Sequence, residues 1–167
     1  MATTDHTLDY LKDRYNEELA RFDHFENKCE KFLTFVTVII AAVTAFSGLN
    51  NGAIFHPKNP LSWINLFVFT MGSVAIVCSW GHALSALRVG DYSVMPRSRA
   101  TAEYLNAVDE ADAKEHVYNC YVDTLEKVAV QLDGKSTQLE LAYEELVISA
   151  ICLGFVCFLT ACMEIFK

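Results

Sequence analysis

The stretch FLTFVTVIIAAVTAFSGL, residues 32–49, decides the fold because it holds no ionisable residue over 18 positions. As a helix it spans about 27 Å, close to the ~30 Å hydrocarbon thickness of a bilayer. Two further stretches have the same character. Residues 61–87 contain no charged residue and one histidine, His82, and residues 146–166 contain one charged residue, Glu164. These stretches lack the strict apolar–polar alternation of a membrane β-barrel. The sequence therefore predicts an all-α integral membrane protein with three transmembrane helices.

The charged residues lie almost entirely in two blocks, residues 1–31 and residues 88–145. These blocks hold five and six basic residues, whereas the loop between the first two spans holds only Lys58. The positive-inside rule therefore places both blocks, and the N-terminus, in the cytoplasm as a helical base. The first block has more acids than bases and a helical period, which argues against a cleaved leader.

The helical elements follow from the glycine and proline positions. No glycine or proline occurs between Leu8 and Ser47, and apolar residues recur there at steps of three and four, which predicts one continuous helix through the base and the first span. Gly90 and Pro96 break the helix after the second span, a new start is expected near Ser98, and the next helix is expected from Ala100 to Gln131. Asp133 and Gly134 predict a bend before a last helix that starts near Lys135 and enters the third span.

Each span carries small or polar residues along one face. These are Thr34, Thr37, Ala41, Thr44 and Gly48 in the first span, Asn65, Gly72, Ala75, Ser79 and His82 in the second, and Ala150, Gly154, Cys157, Ala161 and Glu164 in the third. Small residues usually allow close helix packing in lipid, and this is the favoured interpretation for most of them. The alternative is a pore wall in an oligomer, because three spans of one chain enclose little water. The candidate pore or gating residues are Thr37, Thr44, Asn65, Ser79, His82 and Glu164.

Two of these candidates are ionisable, and an ionisable group inside a span is costly and commonly functional. Glu164 lies one turn from the far end of its span, so snorkelling to the interface and a carboxylate ring at a pore mouth both fit. His82 lies near the cytoplasmic end, where a neutral imidazole hydrogen-bonded to a neighbouring helix is the commoner case and gating is the alternative.

A polar elbow follows the second span and is the candidate ligand-binding site. Arg88, Tyr92, Arg97 and Arg99 combine three guanidiniums and an aromatic ring beside a helix start. Guanidiniums and free backbone amides suit phosphate groups, and tyrosine can stack on a base. Contact with lipid head groups is the alternative for basic residues at a membrane edge, and the residues alone favour it.

The rest of the sequence indicates neither catalysis nor a cofactor. It lacks a glycine-rich phosphate loop, metal-ligand spacing and a nucleophile with a nearby base, so we expect no enzyme, no catalytic residue, no metal site and no cofactor. The six cysteines show no metal-ligand spacing. Residues 88–145 hold twelve acids against six bases, which argues against broad nucleic-acid binding and would concentrate cations if copies gathered around an axis.

Two segments resemble a known group of proteins. FENKCEKFLTFVTVIIAA, residues 25–42, resembles the entry to the first span in small membrane effectors of bacterial antiphage systems of the Pycsar type. VAVQLDGKSTQLELAYEELVISAICLGF, residues 128–155, resembles the cytoplasmic helix that leads into their last span. Those effectors commonly place an acid two residues before a lysine ahead of the first span, as Glu26 and Lys28 do here, although their usual acid is aspartate. The chain is also similar to the SLATT group and, in size, to the membrane component of the Hailong system.

The resemblance implies an oligomeric channel of the bacterial inner membrane that depolarises the cell during phage infection. In the Pycsar-type and SLATT effectors a nucleotide second messenger activates the effector, and in the Hailong system a DNA oligomer holds the channel shut. The implied partners are one of these ligands, a nucleotidyltransferase or cyclase encoded by an adjacent gene, the lipid bilayer and further copies of the chain, most simply a tetramer. The alternatives are a membrane-anchored scaffold for a cytosolic enzyme and a non-selective, holin-like pore.

Overall fold

The structure is a computed structural model that describes residues 4–48, 52, 54–88, 95, 96 and 98–165, except for the side chain of Glu164. Its helices are α1 (Asp5–Gly48), α2 (Pro60–Leu87), α3 (Arg99–Ala107) and α4 (Glu110–Ile165). No strand occurs in the described part, so the all-α prediction is confirmed. By length and composition, α1, α2 and α4 are each long and apolar enough to cross a membrane.

Helix α1 confirms the prediction of one unbroken helix through the first charged block and the first apolar stretch. Its 44 residues extend over about 66 Å. Helix α2 begins at Pro60, a residue suited to the first helical turn because its missing N–H has no partner there in any helix. It ends at Leu87, and the Arg88 N–H donates to the carbonyl of Leu84.

The prediction of one helix from Ala100 to Gln131 is wrong, because the chain breaks between α3 and α4. Ser98 caps α3, its hydroxyl accepting from the Thr101 N–H at 3.2 Å. Val108 is extended (φ −101°, ψ 164°), and α4 starts with Glu110 and Asp112 in its first turn. Acidic residues at that end are stabilised by the helix dipole, so Asp109 and its acidic neighbours form a start signal.

The predicted bend at Asp133 and Gly134 is also wrong, because both residues lie inside α4. A single glycine in a helix costs about 1 kcal/mol, which packing elsewhere along the helix offsets. Val128 and Leu139, on either side of the glycine, are both buried. Helix α4 therefore runs without interruption over 56 residues, about 84 Å.

The chain divides into two compact units, each described here by itself. The base unit comprises residues 1–27 and 89–134, and its described part holds the start of α1, all of α3 and the first part of α4. Aromatic and charged side chains pack its helices. The Tyr15 and Tyr121 rings meet edge to face at 5.9 Å, and Lys114 Nζ lies 2.8 Å from Asp5 Oδ1.

The span unit comprises residues 28–88 and 135–167, and its described part holds the end of α1, all of α2 and the end of α4. Its buried apolar side chains come from all three helices: Cys29, Phe32, Val36, Phe69, Ile76, Ala83, Ala86, Leu139, Ala142 and Val156. Many large apolar side chains of the same unit point outward, among them Phe67, Ile151 and Phe158 at 63–68% exposure. An apolar interior inside an apolar exterior is the arrangement expected of a protein solvated by lipid.

Candidate functional site

The two helices α2 and α4 meet along a line of small and polar contacts. The buried residues of α2 recur at alternating steps of four and three: Asn65, Phe69, Gly72, Ile76, Ser79, Ala83 and Ala86. Asn65 contacts Thr160, and Ser79 contacts Ala142, so the helices run antiparallel. This spacing is the repeat of a coiled-coil seam. We call it the α2–α4 seam: Asn65, Gly72 and Ser79 with Ala142, Ser149 and Thr160.

The two helices of the seam approach each other closely at Gly72. A Cβ placed on this glycine would lie 2.9 Å from the Cβ of Cys152 and 3.4 Å from the Cγ of Leu153. Ser149 Oγ donates to the Gly72 carbonyl at 2.9 Å. Glycine therefore lets the two backbones approach closely enough for a side chain of one helix to bond the main chain of the other.

Two polar side chains of α2 cross the seam on either side of that glycine. Ser79 is fully buried, and its Oγ donates to the Ala142 carbonyl at 2.7 Å. Asn65 Nδ2 donates to Thr160 Oγ1 at 3.2 Å, while its Oδ1 is buried without a hydrogen-bond partner in the described structure. Both residues thus have partners inside one chain, as close packing requires. A pore-lining role for them stays a prediction.

His82 lies in a three-residue cluster at the end of the seam nearest residue 87. Its Nδ1 is 2.8 Å from Gln138 Oε1, and its Nε2 is 3.6 Å from Glu145 Oε1. Glu145 Oε2 is buried and has no hydrogen-bond partner in the described structure. Because the amide oxygen only accepts, Nδ1 donates, and a second proton on Nε2 would pair the ring with the carboxylate. The cluster therefore joins α2 to α4 through the hydrogen bond between His82 and Gln138.

The small-residue faces of α1 and α4 differ from that of α2, because their residues are exposed rather than buried. On α1 the face consists of Thr34, Thr37, Ala41, Thr44 and Gly48, and on α4 of Ala150, Gly154, Cys157 and Ala161, all of them exposed. A Cβ added at Gly48 or Gly154 would meet no atom within 4 Å. Both faces are therefore open to another helix.

The hydroxyls of the α1 face are satisfied within the chain. Thr37 Oγ1 donates to the Leu33 carbonyl and Thr44 Oγ1 to the Ile40 carbonyl, each at 2.8 Å. Trp80 Nε1 also donates to Thr37 Oγ1 at 3.2 Å. Such back-bonding is common where Ser and Thr lie in apolar surroundings.

The structure describes the predicted ligand-binding elbow only in part. Tyr92 and Arg97 lie outside the described residues, as does the side chain of Glu164. Arg88 belongs to the span unit and Arg99 to the base unit. Arg99 Nε donates to Glu103 Oε1 at 2.7 Å, and its side chain is 91% exposed. An anion would have to compete with that carboxylate for the guanidinium.

Sequence reasoning missed the α4 members of the His82 cluster and of the seam. Gln138 and Glu145 are seven residues apart, as are Ala142 and Ser149, so each pair shares one face of a helix. This heptad spacing is readable in the sequence. Nothing in the sequence shows, however, that the face packs against α2.

No group of three or more His, Cys, Asp or Glu side chains within the described residues is placed to hold a metal ion. Comparison of the chain with protein-family models, curated proteins and solved structures finds no significant match.

Proposed function

We propose that the chain is a homo-oligomeric membrane effector of bacterial antiphage defence. Its copies, most simply four, would surround an ion path that a nucleotide second messenger or a DNA oligomer controls. Opening of that path would depolarise the inner membrane. The observation that carries the proposal is the exposure of two small-residue faces, on α1 and on α4, while the third is used inside the chain.

The two open faces support a ring. They lie on different helices and differ in composition, so the α1 face of one copy would pack on the α4 face of the next. A contact between two different surfaces is heterologous and closes into a ring when the rotation between copies permits. Small residues on both faces would let the helices approach closely without a hydrophobic driving force, which lipid does not supply.

Control of the path requires a two-state element that a ligand biases. Helices α1 and α4 each run from the base unit into the span unit without a break, so a rotation or shift of either helix is transmitted along it. The His82 cluster supplies contacts between α2 and α4 that would change in such a shift. The elbow with Arg88, Tyr92, Arg97 and Arg99 is the proposed ligand site.

Conductance of the purified protein in planar bilayers tests the proposal. The wild type should give discrete currents that cyclic nucleotides or short DNA oligomers change. Gly154→Leu should reduce channel formation about tenfold, the effect of ~1.4 kcal/mol lost at an interface. Gly81→Leu is the matched control, because a Cβ added at Gly81 also meets no atom within 4 Å and Gly81 lies off both faces.

Three outcomes would contradict the channel. If no current is measured with any ligand, the scaffold for a cytosolic enzyme becomes the favoured function. Release of large dyes together with ions favours the holin-like pore. Equal currents from both leucine variants would show that the α4 face does not take part in the contact between copies.

Calorimetry tests the ligand site separately. Arg97→Ala with Arg99→Ala should weaken binding of the ligand that changes the current, because two guanidiniums are lost. The control pair Lys12→Ala with Lys127→Ala removes the same charge from exposed positions of the base unit. Unchanged affinity in the arginine variant would return the elbow to lipid contact.

A further inference from the structure

A second feature of the span unit lies apart from the α2–α4 seam. It is an open groove of about 480 Å³ between α1 and α4. Lys28 and Lys31 line it from α1 together with Phe32, and Leu139, Tyr143 and Leu146 line it from α4. Its volume is within the range of small-molecule sites in proteins.

The groove is amphipathic. Its apolar wall is well packed, since the Phe32 and Tyr143 rings lie 4.4 Å apart and Leu139 is only 8% exposed. The two lysines are one helical turn apart on α1, so their side chains lie on the same face. The groove thus combines two cations with an aromatic and aliphatic surface.

Neither lysine is neutralised by an ion pair within 4 Å among the residues that the structure describes. Glu140 and Glu144 lie on the same stretch of α4, and neither reaches a lysine at that distance. Both ammonium groups are on exposed side chains. They are therefore available to a phosphate group.

The groove lies where a charged block gives way to an apolar span. On α1 the lysines precede Phe32, the first residue of the uncharged stretch, and on α4 the wall ends at Leu146, where the third apolar stretch begins. With the apolar stretches in a bilayer, cations there would lie at the depth of lipid head groups, and the aromatic wall at the depth of the first acyl carbons. A free phosphate would use the lysines but leave the wall uncovered.

We propose that this groove binds a phospholipid with an anionic head group, the phosphate on Lys28 and Lys31 and the first part of one acyl chain on the exposed rings of Phe35 and Tyr143. Bound there, the lipid would contact α1 and α4 together. This inference is independent of channel activity, so either one can fail without the other.

Native mass spectrometry of the full chain in detergent tests it, with dioleoyl phosphatidylglycerol and dioleoyl phosphatidylcholine as probes. Phosphatidylglycerol should bind roughly tenfold more tightly, given the attraction that two lysines exert on an anionic lipid. Lys28→Gln with Lys31→Gln should abolish that preference. Lys12→Gln with Lys127→Gln, the same change of charge at exposed base-unit positions, should keep it.

A second arm separates the lipid from free phosphate. Glycerol 3-phosphate and inorganic phosphate should not compete with phosphatidylglycerol at equal concentration, and Leu146→Trp, which fills the groove without a change of charge, should weaken lipid binding. Equal binding of both lipids, equal loss in both lysine pairs, or full competition by glycerol 3-phosphate would each overturn the proposal.

Discussion

The base unit and the span unit share the helices α1 and α4, yet each unit is held together by different interactions. In the base unit, Lys114 pairs with Asp5 and Glu110, and Arg14 and Arg21 pair with Glu18. In the span unit, α2 and α4 pack with a glycine against a cysteine and with hydroxyls that donate to main-chain carbonyls. One helix thus changes its means of packing along its length.

The difference follows from the solvent that each unit is suited to. In water, apolar burial drives helices together, and charged side chains remain hydrated at the edges. In lipid, apolar burial gives no such force, so close approach and hydrogen bonds between helices decide the packing. The seam has both of these features, whereas the base unit has aromatic contacts and exposed ion pairs.

The largest expected effect is at the glycines. Gly72→Ala should lower the free energy of unfolding by about 1–3 kcal/mol, because its Cβ would meet the Cys152 Cβ at 2.9 Å and neither atom can rotate away. Gly134→Ala, where the added Cβ meets nothing, should raise it by up to about 1 kcal/mol through helix propensity. Reversible unfolding in mixed micelles measures both. The same sign for the two variants would contradict the contrast between the units.

The next effect is at the hydroxyls of the span unit. Ser79→Ala should cost about 0.6 kcal/mol, a typical value for a hydrogen bond between membrane helices. Ser85→Ala is the control, because Ser85 Oγ donates at 3.0 Å only to Gly81 of its own helix. The same micelle assay measures both changes. An equal cost for both serines would show that the bond from Ser79 to α4 does not hold the seam.

The smallest effect is at the ion pairs of the base unit. Lys114→Met should cause a small fall in melting temperature that high salt abolishes, because both partner carboxylates are about 80% exposed. Hydrogen bonds to Asp5 and then to Glu110 raise the pKa of Lys114 above its ordinary value. Its contribution is therefore complete below the unfolded pKa of about 10.4 and is lost only as pH rises through the folded value.

Scanning calorimetry at pH 6 and pH 9 checks that sign. The difference between wild type and Lys114→Met should be the same at both pH values. A difference that disappears between them would contradict the raised pKa.

The helices were predictable where the signal is local. The unbroken α1 and the span of α2 follow from the absence of breakers and charges, which no distant contact can change. The boundary between α3 and α4 was missed although Asp109, Glu110 and Asp112 signal a helix start. The sequence predicts a break at Gly134. The helix continues there because one glycine costs little free energy and packing along α4 outweighs that cost.

The candidate site was predictable only by residue type. Polar groups are costly in a span, and this cost identifies Asn65, Ser79 and His82 as candidates for a functional role. In the structure each of them has a hydrogen-bond partner on α4. Those partners lie 56–95 residues away along the chain. The sequence of one protein does not show which residues that are so far apart along the chain are in contact.

By itself, the sequence determined that the chain is helical and which three stretches are apolar enough to cross a membrane, because length and charge are properties of continuous segments. Only the tertiary structure decided which small-residue face packs against another helix of the chain and which two remain exposed. That choice depends on how closely α2 and α4 approach at Gly72, and close approach is a property of two helices rather than one.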